Sequence, residues 1–100
     1  MLVATVVGQV WSTRKERTLE GLRLLVVQPF TLRNETAETV VAVDTIGAGV
    51  GERVLVVFGR AARHAIGKGP DVGFQSAIVG VVDGMDLGGK RVGQTAEDDE

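Results

Sequence analysis

The sequence predicts a mostly β protein, because three observations indicate short strands joined by turns. Valine is the dominant apolar residue, 14 Gly accompany only 2 Pro, and five apolar segments each have the length of one strand. The 100 residues are 44% hydrophobic and 24% charged, which is typical of one compact domain with a single modest core. We therefore predict an all-β domain with five strands and one short helix.

Hydrophobic patterning places the elements along the chain. Strands are predicted at residues 2–11, 22–28, 39–44, 53–58 and 76–83. A charged loop, a polar loop and a Gly-rich turn separate the first four, and the connection before the last strand is long enough for a helix. Ala61, Ala62, Ala65 and Ile66 have helical spacing, and Gly67 is typical of a helix end. We predict a helix over residues 60–66, placed to close one end of a barrel.

The C-terminal segment differs in composition from the rest. Residues 85–100 are rich in Gly, end in acidic residues and lack a periodic apolar face. We interpret residues 1–84 as the folded domain and residues 85–100 as a flexible tail. An interface arm formed by residues 85–92 is the alternative.

The predicted strands are apolar on both faces. In the first strand, Ala4 and Val6 lie on one face, and Val3 and Val7 lie on the other. Helices cover both faces of a sheet in α/β proteins, but this chain has room for only one short helix. We therefore predict that neighbouring subunits cover the outer face and that the protein is an obligate oligomer. The alternative is a sheet whose outward valines are tolerated singly.

Composition excludes several classes of site and location. The formal net charge of -2 argues against a broad basic surface for nucleic acid, and the absence of Cys excludes disulfides and thiolate metal sites. A chain without Cys fits a reducing compartment such as the cytosol. Apolar runs of about 18 residues are absent, so no transmembrane helix is expected. Gly8 and Gln9 interrupt the first apolar run, so we expect no secretory signal.

Three features that could carry chemistry favour simpler interpretations. Gly51 leads into a Val-rich strand, whereas phosphate-binding loops open a helix, so the glycines are assigned to positive φ angles or close backbone approach. His64 has no acidic neighbour, and the aspartates are scattered. We therefore predict no catalytic residue, no metal site and no cofactor.

Trp11 is followed by a small basic loop that contains Arg14, Lys15 and Arg17. Tryptophan beside basic residues can stack on nucleic-acid bases, and tryptophan is also enriched at protein contacts. Because aromatic residues make up only 4% of the chain, we favour the interpretation of Trp11 as an interface anchor.

Four blocks of sequence, in one order, resemble a known family. They are V-x-G-x-V with WSTRK, LEGLRLLVVQP, VAVDTIGAGVGERVLVVFGRAAR and AIVGVVD. From residue 1 to about residue 83 they resemble the bacterial microcompartment vertex proteins of the EutN/CcmL type. The resemblance implies a small OB-like barrel that assembles as a cyclic pentamer. It also implies a structural role, without enzyme activity, at the vertices of a shell in the bacterial cytoplasm, beside hexameric and trimeric shell proteins.

The resemblance carries over to individual positions. The positions that match family motifs include Leu24, Gln28, Asp44, Glu52, Gly80 and Asp83. The chain departs from the family pattern at residues 70–76, where it reads PDVGFQS, so contacts around Phe74 do not carry over. An OB-type nucleic-acid-binding module is the alternative function.

A cyclic ring needs two unlike contact patches on each subunit. The strands that are apolar on both faces supply them, and the predicted interface residues are Val3, Val7, Trp11 and Leu55. Small residues in the turn would let loops crowd near the symmetry axis or at the subunit seam; these are Gly47, Ala48, Gly49 and Gly51.

Overall fold

A computed structural model describes residues 1–11, 21–31, 38–67 and 75–92, which form a β-barrel, one helix and a hairpin. The elements are β1 (Leu2–Val10), β2 (Arg23–Pro29), β3 (Val40–Asp44), β4 (Arg53–Phe58), α1 (Gly59–Ile66), β5 (Ser76–Val81), β6 (Met85–Leu87) and β7 (Lys90–Val92). The predicted fold class is confirmed, and all five predicted strands lie within two residues of the observed bounds.

The five long strands close into a barrel in the order β1-β2-β3-β5-β4. Four of the five pairings are antiparallel, and β1 is hydrogen-bonded to both β2 and β4. The remaining pairing, between β3 and β5, is parallel and short, with Val43 opposite Ala77 and Asp44 opposite Ile78. A parallel pair requires a long connection, and the chain between β4 and β5, which contains α1, supplies it.

Alternation along the strands fills the barrel interior. Residues two apart on a strand point to the same face, so each barrel strand contributes one row to the core. The largest fully buried side chains of this interior cluster are Leu25, Ile78, Val6, Val27, Val54 and Val56. Full burial of such a side chain stabilises the fold by about 1.5–3 kcal/mol, so this core is the main source of stability.

The helix α1 packs on the outside of the barrel. Its buried residue Ala62 forms a small cluster with Val57 and Ala77. These two strand residues alternate with Val56 and Ile78, which face the interior. The helix therefore covers the outer face of the barrel at the end of β4 and the start of β5, and the expectation that it closes a barrel end is wrong.

The predicted end of α1 is confirmed. Gly67 adopts the left-handed conformation with φ 78°, and its backbone N–H donates to the Arg63 carbonyl at 3.2 Å. The helix has eight residues, and within the described ranges no helix is long and apolar enough to cross a membrane.

A two-stranded hairpin, β6–β7, follows the barrel. Met85 pairs with Val92, and Leu87 pairs with Lys90 across a turn formed by Gly88 and Gly89. Both glycines have positive φ, 58° and 82°, as a tight type I′ turn requires. The sequence analysis assigned this hairpin to the tail. Residues 93–100 lie outside the described residues, so the flexibility of the tail stays a prediction.

Candidate functional site

One carboxylate organises the loop between β3 and β4, which we call the glycine loop (residues 45–52). Asp44 Oδ1 accepts hydrogen bonds from the backbone N–H groups of Ile46, Gly47 and Ala48 at 3.1, 3.0 and 3.1 Å. Its Oδ2 accepts from Arg23 Nη1 at 2.6 Å. The Asp44 side chain is only 2% exposed, so these four donors replace water around it. The end of β3 therefore dictates the path of the loop.

The other end of the glycine loop is fixed to β1. Gly51 N–H donates to the Val6 carbonyl at 2.8 Å, and Val6 N–H donates to the Glu52 carbonyl at 2.9 Å. The Glu52 side chain also holds the loop, because its Oε1 accepts from Gly49 N–H at 2.6 Å. Two of the acidic motif positions, Asp44 and Glu52, thus serve as acceptors for loop backbone amides.

Ala48 and Thr45 tie the middle of the glycine loop to the barrel. The Ala48 side chain is buried in the main core, and its carbonyl accepts from Arg23 Nη1. Thr45 Oγ1 donates to the Ile78 carbonyl at 2.7 Å. Because its side chain belongs to the core, Ala48 anchors the loop, and the other small residues are the ones that lie at its surface.

Two large apolar side chains project from this fixed loop. Ile46 is 44% exposed and Val50 is 61% exposed. Neither residue is among those predicted for this loop, which are its three glycines and Ala48. Turns favour small and polar residues, whereas both of these are β-branched and apolar. Their presence in this turn is therefore a sign in the sequence that the loop has a contact to make.

The glycines of the loop have different roles. Gly47 and Gly51 have φ of 81° and 95°, which side chains rarely tolerate, so the turn requires glycine there. Gly49 has no such constraint, and a Cβ at that position would lie 3.6 Å from Glu52 Oε1, an ordinary contact. The local fold of the subunit therefore does not explain Gly49.

The pKa of Asp44 makes a testable contribution to acid stability. Burial alone would raise the pKa, but hydrogen bonds from Ala48, Ile46, the Arg23 side chain and Gly47 outweigh burial and hold the pKa below its ordinary value of 3.8. A carboxyl group with a lower pKa in the folded state stabilises the fold above its unfolded pKa. That contribution is lost as the pH falls through the folded pKa.

We expect the wild-type protein to lose free energy of unfolding below about pH 4, the region where an unfolded aspartate titrates. The Asp44→Asn variant lacks this ionisation, so it should lose less over the same interval. Urea unfolding at pH 7 and at pH 3 measures the difference. Equal losses in the two proteins would contradict the assignment.

A second candidate surface is the outer wall of β1 and β4, formed by Val3, Thr5, Arg53 and Leu55 and called here the β1–β4 wall. Val3 lies opposite Leu55, and Thr5 lies opposite Arg53. These residues alternate with buried core residues of the same strands, so they face outward. All four are partly exposed. Two of the predicted interface residues, Val3 and Leu55, are thus direct neighbours.

The other two predicted interface residues lie further along β1. Val7 is 50% exposed at an irregularity in the β1–β2 pairing between Val6 and Gly8. Trp11 follows the end of β1 and is 86% exposed. Residues 14, 15 and 17 of the basic loop lie outside the described residues, as does Phe74.

The remaining motif positions are spread over the barrel. Leu24 is buried, and Gln28 is partly buried and pairs with Thr5 across β1 and β2. Gly80 lies opposite Leu55, where a Cβ would sit 4.0 Å from the Leu55 Cβ. Asp83 is exposed just after β5. Within the described ranges, no three His, Asp or Glu side chains cluster closely enough to hold a metal ion.

Comparison with known proteins identifies the family. The family described as "Ethanolamine utilisation protein EutN/carboxysome" matches residues 1–83. The chain belongs to the EutN/CcmL family. The resemblance found in the four sequence blocks is therefore confirmed over the barrel.

Curated relatives of this EutN/CcmL protein are shell vertex proteins by name. The bacterial microcompartment shell vertex protein PduN of Salmonella typhimurium is 43% identical over 83% of this chain and 96% of its own. GrpN of Rhodospirillum rubrum, with the same designation, is 44% identical over 83% of this chain and 93% of its own. The carboxysome shell vertex protein CcmL of Thermosynechococcus vestitus is 45% identical over 83% of this chain and 84% of its own.

Solved structures of the family share the fold. CcmL of Gloeobacter violaceus superposes with a TM-score of 0.84 at 26% identity, over 98% of this chain and 100% of that chain. The GrpN pentameric microcompartment shell protein of Rhodospirillum rubrum gives a TM-score of 0.74 at 39% identity, over 87% of this chain and 99% of that chain. The second of these is named as a pentamer.

Proposed function

We propose that this EutN/CcmL protein is a structural protein that forms pentamers at the vertices of a bacterial microcompartment shell. The observation that carries the proposal is the similarity of the whole barrel to GrpN, whose solved structure is named as a pentameric shell protein. Curated relatives at 43–45% identity are vertex proteins by name. The protein accordingly resides in the shell, within the bacterial cytoplasm.

The geometry of a closed shell explains why such a protein is needed. A layer of hexagonal tiles stays flat or rolls into a tube, and five-fold tiles allow it to close. A ring of five copies uses heterologous contacts, so each subunit presents two unlike patches. The β1–β4 wall is one candidate patch, with Val7 and the exposed Trp11 further along β1.

The glycine loop is the proposed site of close approach between subunits, at the symmetry axis or at the seam. Its backbone is fixed at both ends by Asp44 and Glu52, so it can present one shape in every copy. The backbone conformation of Gly49 would also be allowed for residues with a side chain. We therefore assign Gly49 a role in close packing against a neighbouring subunit.

Gly49→Leu is expected to leave the subunit folded and to weaken the ring, because the added side chain would occupy space reserved for a neighbouring loop. Sedimentation velocity across a dilution series measures the assembly, and circular dichroism checks the fold. Gly49→Ala is the matched control and should have the smaller effect. Unchanged assembly of Gly49→Leu would remove Gly49 from the interface.

The proposal also covers catalytic activity and the partners of the protein in the shell. The protein has no catalytic activity, in keeping with relatives whose names give only a shell role. Its partners in the shell are hexameric and trimeric shell proteins, whose edges the pentamer must meet. The OB-type nucleic-acid-binding module considered from the sequence has no support among the described residues or the relatives above.

The native mass in solution is the decisive experiment for the function. A complex of five times the 10.5 kDa subunit is expected by native mass spectrometry. Co-expression with a hexameric shell protein should then give closed polyhedra by electron microscopy, whereas the hexamer alone should give sheets or tubes. A stable monomer at micromolar concentration would overturn the proposal.

A further inference from the structure

Arg53, on the β1–β4 wall, has an incomplete set of hydrogen bonds. Its Nε and Nη1 atoms are buried, and neither donates to an acceptor among the described residues. The Arg53 backbone carbonyl is satisfied, since it accepts from Val82 N–H at 2.8 Å. The strand therefore holds the Arg53 backbone in place, and the unpartnered groups are two nitrogens of its side chain.

The aromatic contact that Arg53 makes among the described residues does not supply an acceptor. The guanidinium carbon lies 5.8 Å from the centre of the Phe30 ring, within the range of a cation–π interaction. Such a contact uses the ring face, whereas the N–H groups of the guanidinium require oxygen acceptors in its plane. A buried N–H group without an acceptor destabilises a protein because its contact with water has been lost.

Arg53 lies within the surface that the proposed ring would cover. It is opposite Thr5 and two residues from Leu55 on the same strand, and both neighbours face outward. Arg53 as a residue is partly exposed, so a second copy of the chain that packs on Leu55 and Val3 would meet its side chain. The buried Nε and Nη1 atoms become accessible to that copy when the side chain turns outward.

We propose that the Arg53 side chain turns outward on assembly and donates to an oxygen acceptor of the adjacent subunit, so that it forms a polar contact within a mostly apolar seam. The inference rests on the proposed pentamer. Carboxylate and backbone carbonyl oxygens both have the required chemistry. Glu38 and Asp83 are exposed carboxylates among the described residues, and each is a possible source in the neighbouring copy.

Arg53→Met is expected to affect the dissociated monomer and the assembled ring differently. In the monomer, methionine removes unpaired donors, so the urea midpoint should stay the same or rise. In the ring, the same change leaves the partner's acceptor buried and unpaired. The dissociation constant of the ring should then rise about ten- to hundred-fold, the usual range for a lost charged hydrogen bond.

Arg60→Met is the matched control, because Arg60 is exposed on α1. It should change neither the urea midpoint nor the ring. Sedimentation velocity over a dilution series gives the ring constant, and urea unfolding of dilute, dissociated protein gives the monomer stability. A weaker ring without any loss of monomer stability in Arg53→Met would not arise from a purely structural role in the subunit.

Glu38→Gln and Asp83→Asn identify the acceptor. If one carboxylate is the partner, its substitution weakens the wild-type ring and has no added effect in Arg53→Met. If neither substitution weakens the wild-type ring, a weakened Arg53→Met ring assigns the acceptor to another oxygen of the neighbouring copy. A wild-type pentamer with an unaltered ring constant in Arg53→Met overturns this inference alone, whereas a monomeric wild type overturns the proposed function.

Discussion

Leu55→Asp is expected to convert the ring into monomers. Leu55 lies on the outer wall between Val3 on β1 and Gly80 on β5. Its burial by a neighbour would be worth about 1.5–3 kcal/mol at each seam. An aspartate at the same place loses that contribution, and burying its charge adds a penalty of several kcal/mol. Because a ring repeats the loss at every seam, no assembled species should remain at micromolar concentration.

Two measurements check this expectation. Native mass spectrometry should show the subunit mass of 10.5 kDa in place of a five-fold multiple. Trp11, the only tryptophan and 86% exposed in the subunit, reports on the seam through its fluorescence, which should resemble that of a free indole in the variant. Circular dichroism must show an intact β fold.

Ala61→Asp is the control for the added charge. Ala61 is exposed on α1 and is not part of the β1–β4 wall, so this variant should assemble like the wild type. Leu55→Ala should be intermediate, with a ring weakened but detectable. A Leu55→Asp protein that still forms the ring would exclude the wall as a subunit contact.

Asp44→Ala is expected to destabilise the subunit itself by about 2–4 kcal/mol, because it removes a buried carboxylate that accepts four hydrogen bonds. Small domains are stable by only about 5–15 kcal/mol, so this is a large fraction of the total. The loop amides of Ile46 and Gly47 can turn to water in the variant, which keeps the loss below the sum of the individual bonds.

Arg23→Gln and Asp44→Asn test which of the hydrogen bonds to Asp44 contribute most to the free energy of unfolding. The Arg23 side chain is 43% exposed, so its ion pair with Asp44 should contribute at most about 1 kcal/mol. Asp44→Asn keeps one acceptor oxygen and should fall between the wild type and Asp44→Ala. Urea unfolding of dilute protein at pH 7 measures all three variants. An Arg23→Gln loss as large as that of Asp44→Ala would mean that the ion pair dominates.

Local pattern was sufficient to predict the strands and the helix end. Valine-rich runs bounded by glycine gave β1 to β5, and Gly67 ended α1 as expected. The hairpin is not predicted, because acidic, Gly-rich composition is typical of a tail. The adjacent Gly88 and Gly89 are the sign of a tight turn that the sequence does contain.

The parts of the site that depend on distant residues could not be read from sequence. Arg23 meets Asp44 from 21 positions away along the chain, and no local spacing indicates that contact. The position of α1 was predicted wrongly for the same reason. The way the barrel closes determines that α1 packs on Val57 from outside the barrel, and no local pattern shows this. The unpaired nitrogens of Arg53 likewise become visible only when the surroundings of the side chain are known.

Closure of the barrel also restricts how copies of the protein can join. Every barrel strand has a bonded neighbour on each side, so none presents a free row of backbone groups to a passing chain. Endless strand-by-strand growth, the route to fibrils, is therefore unavailable to this part of the molecule. Copies packed at high local density must recognise one another by the shape and chemistry of their side chains, which favours assemblies of finite size.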